Sequence, residues 1–495
     1  MTDRGPSRHV DEGRGAGLTL SGRQLAALLS GPAGSGPAYR RLARNISELI
    51  LEGRVPPHVR LPAERELATA LRISRATVTA VYDLLRENGW AHSRRGAGTW
   101  TALPEGRQPH RVTRQLMAPD ATIDLARAAP GVPEDVLAAA LAEAAPALAS
   151  HAHTPGYHPY GLPGLRAAVA ERFTRRGLPT VPEQILITSG AQHALTLVLG
   201  LLCGPGERSV VESPSYPNAL EALRRARMRT VPVPVTEDGW DMAALVSALG
   251  RAAPRLTYLI PDFHNPTGLL MSAPDRARVL HAAAGSGTWL VVDETLAELA
   301  LDVPAPTPFA ACGAPGETGQ VITVGSMSKS HWGGLRIGWL RAPARLVTEL
   351  AGQRIVTDVG GSVVDQLLAL ALLSRGPELP GARLRRLREQ RAALTGALAA
   401  HFPAWTWRQP PGGLSLWVDL GEPVAPDLAA RAREHGVRIE AGSCFAADPG
   451  VFEQRLRMPF TLPPDTLREA VRRMASAAAD RLPPAGTDRG PRWVV

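Results

Sequence analysis

The sequence of 495 residues almost lacks lysine. Of its 55 basic side chains, 54 are arginines and one, Lys329, is a lysine. Arginine binds anions and pairs with carboxylates at least as well as lysine, so a bias towards arginine can replace lysine wherever only a positive charge is needed. Lysine differs because its amine can lose a proton and attack a carbonyl. The single lysine is therefore a candidate for covalent chemistry, and the alternative is chance survival at the surface.

Cysteines and long apolar runs are also scarce. The three cysteines, Cys203, Cys312 and Cys444, are widely spaced and form neither a disulfide framework nor a metal-ligand pattern, so no metal site is expected. No apolar run reaches the roughly 18 residues of a membrane-spanning helix. The first residues, MTDRGPSRHVDEGRGAG, lack the apolar core of a signal peptide. We expect a cytoplasmic protein without a membrane partner.

Positive charge is present, and it is concentrated in one segment. Residues 37–101 contain 11 arginines and 6 acids, whereas residues 123–495 contain 37 basic and 35 acidic side chains. The net charge of +9 thus lies mainly in the N-terminal part. This asymmetry indicates that residues 37–101 bind a polyanion such as double-stranded DNA.

Changes in composition predict a multidomain chain. Between residues 123 and 483, short apolar runs such as QILITSG, LTYLIP and TWLVVDE alternate with helical patterns, which is typical of an α/β domain with a largely parallel sheet. The predicted segments are a tail with a short helix at 1–36, a helical unit at 37–101, a polar linker at 102–122, the α/β domain at 123–483 and a Pro/Gly-rich tail at 484–495.

The basic segment predicts a winged helix-turn-helix. Its sequence RLPAERELATALRISRATVTAVYDLLRENGW indicates helices near 63–71 and 75–88, with Ser74 as the N-cap of the second. The stretch WAHSRRGAGTW at 90–100 alternates like a hairpin with a basic tip. Such a second helix can enter the major groove of DNA while the hairpin follows the phosphates. A plain three-helix bundle with solvated arginines is the alternative.

The same segment resembles the winged helix of GntR-type bacterial regulators. The pattern LPxxRELAxxLxxSRxTVxxAYxxLxxxG of that family occurs here as LPAERELATALRISRATVTAVYDLLRENG. The resemblance implies that Arg65, Arg75 and Thr77 contact DNA. It also implies that Arg95 and Gly98 of the wing lie near the minor groove.

The surroundings of Lys329 resemble a second family. The stretch VITVGSMSKSHWGGLRIGWL contains the S-x-S-K signature of fold-type I aminotransferases, with an arginine seven residues after the lysine. The resemblance implies that Lys329 forms an aldimine with pyridoxal 5'-phosphate (PLP). It assigns Ser326 and Arg336 to the phosphate of this cofactor.

Further motifs of that family follow in the expected order. ITSGAQHAL predicts a strand, a turn and a helix whose first amides, at Gly190, Ala191 and Gln192, suit a phosphate. By resemblance, Tyr160 in HPYGLPGL reaches the phosphate bound by the neighbouring subunit. The remaining assignments are Tyr216 stacking on the cofactor ring, Asn265 bonding the ring hydroxyl, Asp293 holding the ring nitrogen protonated, and Arg457 in RLRMPF binding the α-carboxylate of an effector.

One position departs from that pattern. The family usually has a tyrosine three residues after the aspartate, bonded to the ring oxygen, and this sequence has Leu296 there. Loss of the phenol should raise the pKa of the imine and weaken control of proton transfer. PLP binding should persist because the phosphate, the imine and Asp293 supply most of the hold.

The complete chain resembles the MocR family of bacterial transcription regulators. The resemblance implies a mainly α winged helix-turn-helix followed by a fold-type I aminotransferase-like α/β domain with a smaller C-terminal subdomain. It implies that PLP or an amino compound is sensed through Lys329, in a homodimer arranged head to tail. An active aminotransferase with a DNA-binding module, and a repressor whose C-terminal domain only dimerises, remain open. Target genes, operator, effector and direction of regulation are not determined by the sequence.

Overall fold

The computed structural model describes residues 19–29, 38–94, 98–102, 104, 122–376 and 381–480. Most of the predicted linker, the predicted C-terminal tail and the DNA-contact candidate Arg95 lie outside these ranges. Contacts divide the chain into two compact units, 1–113 with 448–452 and 114–447 with 453–495. Within the described residues, no helix combines the length and the apolar character needed to cross a bilayer.

The first unit is the winged helix-turn-helix that the sequence predicts. Arg72, at φ +55°, ends the third helix in the left-handed region, and the side chain of Ser74 accepts a hydrogen bond of 3.0 Å from the amide of Thr77. Ser74 is thus the N-cap of the fourth helix, as predicted. The elements are α1 (Gly22–Leu28), α2 (Ala38–Leu51), α3 (Glu64–Leu71), α4 (Arg75–Glu87), β1 (Ala91–Arg94) and β2 (Gly98–Thr101).

Helix α1 packs into this unit, although the sequence suggested a helix within a tail. Leu25 is fully buried in the same core as Leu67 and Val81. The amide of Gly22 donates to Oε1 of Glu66 over 2.6 Å, and a Cβ at Gly22 would lie 2.8 Å from the backbone oxygen of Glu66. Glycine at this position therefore permits the close approach of α1 to α3.

The second unit contains an eight-stranded sheet in the order β4-β11-β10-β9-β8-β5-β6-β7. All of its strands run in one direction except β11 and β7. The strands up to β11 are β3 (Ile123–Asp124), β4 (Ile185–Thr188), β5 (Arg208–Ser213), β6 (Arg229–Thr236), β7 (Gly239–Trp240), β8 (Leu256–Leu259), β9 (Trp289–Asp293), β10 (Val321–Ser326) and β11 (Gly338–Arg341).

Helices cover both faces of this sheet. Ile185 and Ile187 of β4 pack in one core and Leu186 in the other, which explains why the strands read as uninterrupted apolar runs. The helices are α5 (Glu134–His151), α6 (Pro163–Arg175), α7 (Ala191–Leu202), α8 (Pro217–Arg225), α9 (Met242–Ala252), α10 (Ala273–Ser286), α11 (Met327–Ser330), α12 (Ala344–Arg354) and α13 (Val363–Ser374).

A smaller C-terminal part has its own core. Its sheet has the order β12-β13-β16-β15, all antiparallel, and β3 pairs in parallel with β14 beside it. Leu416, Leu456 and Leu467 belong to this third core. The elements are α14 (Gly381–His401), β12 (Thr406–Trp407), β13 (Ser415–Asp419), α15 (Ala425–Glu434), β14 (Val437–Arg438), β15 (Glu440–Ala441), β16 (Arg455–Pro459) and α16 (Pro464–Ala479).

The parallel strands position the candidate site. Strands β5, β8, β9 and β10 end at the same edge of the sheet, which is where ligands bind in open α/β folds. Tyr216, Asn265 and Lys329 lie in the segments that follow β5, β8 and β10, and Asp293 is the last residue of β9.

Candidate functional site

Lys329 lies in the single turn α11, directly after β10. Its Nζ donates a hydrogen bond of 2.7 Å to the backbone oxygen of Ala128. Burial lowers the pKa of Lys329 to about 8; the positive charge of Arg457 lowers it further, and the carboxylate of Asp293 opposes both. An amine with this pKa is neutral in a substantial fraction near pH 8, which is the form that attacks a carbonyl.

Asp293 is held by a partner that the sequence analysis did not identify. The Tyr258 hydroxyl donates to Oδ2 of Asp293 over 2.6 Å, and the amide of Thr295 donates to Oδ1 over 2.9 Å. Burial raises the pKa of Asp293, whereas these hydrogen bonds and the charge of Lys329 lower it. The only sequence signal for Tyr258 was a phenol inside the otherwise apolar run LTYLIP.

Three predicted phosphate ligands converge at the start of α7. Gly190, at φ +96°, is the N-cap of this helix without a side-chain cap. Arg336 donates to the backbone oxygen of Ser189 over 2.7 Å, and a Cβ on Gly190 would lie 3.0 Å from its Nη2. Ser326 pairs with Gly338 of β11, and Gly338 pairs with Thr188 of β4. A guanidinium and a helix N-terminus thus lie together at a place that favours an anion, and Ser326 lies on the adjoining strand, where its hydroxyl donates to the backbone oxygen of Ile337 over 3.1 Å.

Hydrogen bonds link Gln192, which is predicted for the phosphate, to Tyr216, which is predicted for the cofactor ring. Gln192 donates to the backbone oxygen of Asn218 over 3.2 Å, and the Asn218 amide donates to the hydroxyl of Tyr216 over 2.9 Å. Tyr216 packs against the core that contains Tyr258, the partner of Asp293. Ala191, by contrast, contributes only its backbone at the helix start and packs on the neighbouring core.

Two buried amide oxygens fit an additional ligand. Oδ1 of Asn265 and Oε1 of Gln192 have no hydrogen-bond partner among the described residues. Buried polar atoms are normally satisfied, so such atoms indicate a missing partner. Together with the anion-binding helix start, the buried Asp293 and the amine of Lys329, they make a donor and acceptor set that fits PLP.

Arg457 reaches the same cleft from the smaller part. It lies in β16, is buried, and donates through Nη2 to the backbone oxygen of Ala126. Its guanidinium lies 4.9 Å from the centre of the Phe445 ring. Arg457 and Lys329 donate to the backbone oxygens of Ala126 and Ala128, two residues apart, so the two cations lie in one cleft.

Tyr160 and Leu296 both lie in the second unit. The backbone oxygen of Tyr160 accepts from the amide of Ile187 over 3.0 Å, and its ring lies 5.2 Å from the guanidinium carbon of Arg166. Within one chain, none of the contacts described above joins Tyr160 to Lys329. The contact of Tyr160 with the phosphate bound by another subunit therefore stays a prediction. Leu296, where the family has tyrosine, is buried in the core of the smaller part.

The candidate DNA-reading residues occupy the exposed side of α3 and α4. Arg65 and Arg75 are exposed, whereas Thr77 is half-buried and bonded through its hydroxyl to Ser74 over 2.8 Å. Nε of Arg75 lies 3.1 Å from Oε2 of Glu64, which also accepts from the Thr79 hydroxyl over 3.0 Å. Glu64 thereby holds Arg75 at the first turn of α4, and the sequence analysis did not assign it a role.

Gly98 begins the second strand of the wing. It is exposed at φ +95°, and a Cβ there would lie 3.0 Å from Nε of Arg60. Glycine at this position thus allows the left-handed backbone conformation and leaves room for the side chain of Arg60. The other wing candidate, Arg95, lies outside the described residues.

Comparison with known proteins assigns both units. Residues 38–100 match the family described as bacterial regulatory proteins, gntR family, and residues 123–474 match aminotransferase class I and II. Among solved structures, LysN, the α-aminoadipate aminotransferase of Thermus thermophilus in complex with N-(5'-phosphopyridoxyl)-L-leucine, is 31% identical. The match has a TM-score of 0.66 and covers 73% of this chain and 92% of that one.

Curated relatives that align with most of this chain are named as regulators. The uncharacterized HTH-type transcriptional regulator YisV of Bacillus subtilis is 30% identical over 77% of this chain and 84% of its own length. The probable rhizopine catabolism regulatory protein MocR of Rhizobium meliloti is 30% identical over 89% of this chain and 94% of its own length. The chain therefore belongs to the MocR-type transcription regulators, in which a GntR-type helix-turn-helix domain is fused to an aminotransferase class I and II domain.

Proposed function

We propose that this regulator binds PLP covalently through Lys329 and changes its action on DNA when PLP, or an amino compound that reacts with it, occupies the site. The observation that carries the proposal is the position of the only lysine. Lys329 lies between a carboxylate and a guanidinium at the edge of the sheet, and its pKa is lowered to about 8. A lysine that had survived by chance at the surface would have none of these neighbours.

PLP, when bound, supplies an aldehyde that condenses with an amine and a ring that withdraws electrons. The residues of the chain suit its parts in turn. Gly190, Ser326 and Arg336 would hold the phosphate, while Asn265, whose Oδ1 lacks a partner among the described residues, suits the ring hydroxyl. Asp293, ionised with the help of Tyr258, would hold the ring nitrogen protonated.

The first unit supplies the contact with double-stranded DNA. Arg65 and Arg75 are exposed at the helix-turn-helix, where they would reach base edges or phosphates in the major groove. A regulator of this kind acts where the chromosome lies, so we place it in the cytoplasm.

A homodimer is supported by the surface of the second unit. Most described side chains that are large, apolar and exposed lie on α5, shortly after it, or between α12 and the first turn of α13. They are Val136, Leu141, Leu148, Tyr157, Ile355, Val356, Val359 and Val364, and only Val181 among the described residues of this kind lies elsewhere in the chain. Exposed apolar patches of this kind mark interaction surfaces. Since Tyr160 follows Tyr157 closely in the chain, a second copy at this surface suits the predicted reach of Tyr160 towards the other subunit; a head-to-tail arrangement is part of the proposal.

An active aminotransferase is the second candidate, because the chain has Arg457 and the residues that we propose for the cofactor. The buried Leu296 weighs against it, since the phenol that bonds the ring oxygen in the family is missing. Multiple turnover with an amino acid and a keto-acid acceptor, at the roughly 1–1,000 per second of ordinary enzymes, would favour the enzyme. A C-terminal domain that only dimerises does not account for Lys329 and its neighbours.

Because Lys329 is the only lysine of the sequence, a PLP group bound to a lysine side chain can have only one position. PLP is added, the complex is reduced with borohydride, and peptide mass spectrometry should show one phosphopyridoxyl group per chain, on Lys329. The matched control is Lys329→Arg, which keeps the positive charge but cannot form the bond. A protein that stays colourless with added PLP, or that carries the label elsewhere, would overturn the proposal.

A further inference from the structure

We propose that residues 125–131, named the site strap here, sense an α-amino acid in the candidate site and pass its presence to the linker. The proposal rests on the proposed PLP-dependent function and deepens it. The strap has the sequence LARAAPG and follows β3, whose first residue comes directly after the predicted linker.

Cations of the site hold the strap by its backbone. Arg457 donates to the oxygen of Ala126, Lys329 donates to the oxygen of Ala128 over 2.7 Å, and Arg383 donates to the oxygen of Gly131 over 2.9 Å. The Thr461 hydroxyl adds a contact of 3.5 Å to the oxygen of Arg127. Two of these three cations, Arg457 and Lys329, are the groups that the proposed ligands would bind. In the strap, neutral carbonyl oxygens accept hydrogen bonds from them.

The strap also crosses between the two parts of the second unit. Its first residue, Leu125, is buried in the core of the smaller part, and its amide donates to the oxygen of Arg438 over 2.8 Å. Further along, Ala128 is held by Lys329, which follows the large sheet. Arg383 joins Gly131 to the backbone oxygens of Ser330 and His331 over 2.9 and 2.8 Å, next to Lys329.

Ligand groups compete with the strap for these donors. A carboxylate pairs with a guanidinium through two charge-assisted hydrogen bonds, which a single neutral carbonyl cannot match. An α-carboxylate at Arg457 therefore displaces the oxygen of Ala126. When the amine of Lys329 condenses with an aldehyde, its nitrogen gains a double bond to carbon, and two of its hydrogens leave with the aldehyde oxygen as water. The nitrogen can then no longer donate as an ammonium group to Ala128.

The competition defines a chemical class of effector. PLP alone removes the anchor at Lys329. An amino acid joined to PLP replaces Lys329 on the aldehyde carbon, so Lys329 is again a free amine that can donate to Ala128, and the anchor at Arg457 is removed instead. An amine without a carboxylate leaves Arg457 bonded to Ala126. The strap therefore distinguishes amino acids from simple amines, and its release shifts the population of arrangements at the linker attachment in β3.

The experiment uses the full-length protein and two stable adducts that fill the ring and phosphate positions alike. N-(5'-phosphopyridoxyl)-L-alanine carries a carboxylate, and N-(5'-phosphopyridoxyl)-ethylamine lacks it. Hydrogen exchange followed by mass spectrometry reports the amides of residues 126–129 and 131, since Pro130 has no amide hydrogen. We expect the alanine adduct to speed their exchange about tenfold over the ethylamine adduct, because one charge-assisted anchor is lost.

Variants isolate the anchor at Arg457. In Arg457→Gln, exchange of the strap should be fast without ligand, and the two adducts should give the same exchange. Arg472→Gln, which changes an exposed arginine paired with Glu469 on α16, is the control and should behave as wild type. Equal protection of the strap by both adducts in the wild type would sink the proposal. If neither adduct binds in equilibrium dialysis, the proposed PLP function fails instead, so the two failures are distinct.

Discussion

The hydroxyl of Tyr258 on β8 donates a hydrogen bond of 2.6 Å to Oδ2 of Asp293 on the neighbouring strand β9. Both side chains are buried. Burial raises the pKa of Asp293 and so favours its protonated form. The hydrogen bond from the phenol lowers this pKa by stabilising the carboxylate. The phenol acts on the aspartate that we propose for the ring nitrogen. It would therefore not replace the tyrosine that the family has at the position of Leu296, on the proposed ring-oxygen side.

Tyr258→Phe should weaken PLP binding about tenfold, because a hydrogen bond to a charged group contributes about 1.5–3 kcal/mol and its loss raises the pKa of Asp293 further. The measurement is the PLP dissociation constant from an absorbance titration. Tyr39→Phe removes a phenol of the first unit, which accepts from Arg40 over 3.1 Å, and should leave the constant unchanged. An unaltered PLP affinity in Tyr258→Phe would show that the phenol does not support Asp293.

Gly190→Ala should disrupt the proposed phosphate position. Its Cβ would lie 3.0 Å from Nη2 of Arg336 at a backbone φ of +96°. We expect at least a tenfold loss of PLP affinity together with a loss of about 1 kcal/mol in the free energy of unfolding.

The matched control for this variant is Gly206→Ala. Gly206 has a φ of +85° and nothing within 4 Å of the added Cβ, so it carries the backbone strain without the contact. Its stability should fall similarly while PLP binding persists. Equal PLP affinity in both variants would contradict the proposed phosphate position.

Capture of PLP should rise with pH through a midpoint near 8, because Lys329 reacts as the neutral amine and its pKa is lowered to about 8. The sign follows from protonation, since below the pKa the ammonium form has no lone pair. Arg457 lowers this pKa, so Arg457→Gln should move the midpoint to higher pH. Stopped-flow absorbance across pH 6 to 10.5 measures it, with Arg472→Gln as the control. If the midpoint does not change in Arg457→Gln, the charge of Arg457 does not act on the pKa of Lys329.

Arg75→Ala should weaken specific DNA binding by about 1–3 kcal/mol and relax the base preference at one position. Duplexes selected by the wild type from a random pool provide the ligands, and binding at fixed salt is compared across them. Arg44→Ala, an exposed arginine on α2 paired with Glu48, is the control. Equal weakening on every duplex would mean that Arg75 contacts only phosphate.

Much of the fold was predictable because local chemistry determines it. Ser74 is the N-cap of α4, as its hydroxyl and the following helical pattern indicated. The apolar runs ending near Asp293 and Ser326 are buried strands. Alternation of short apolar strands with helices has few solutions other than a mainly parallel sheet, and residues after parallel strands must share one edge.

Other features depend on contacts between residues far apart in the chain. Tyr258 and Asp293 meet only because β8 and β9 are neighbours in the sheet, and no spacing rule states which strands are adjacent. The docking of α1 on α3 depends on the room that Gly22 leaves beside Glu66. Glu64 faces Arg75 because the turn at Arg72 folds α4 back on α3.

The sequence by itself determined that one amine was kept where 54 other basic positions became arginine, and that it follows a buried strand in a familiar signature. That information is local, since residue type and its near neighbours carry it. Only the tertiary structure decided what surrounds the amine. The carbonyl of Ala128, the guanidinium of Arg457 and the carboxylate of Asp293 come from three distant segments. Burial of Lys329 and the charge of Arg457 lower its pKa, and the carboxylate of Asp293 opposes them, because desolvation and charge act through space and not along the chain.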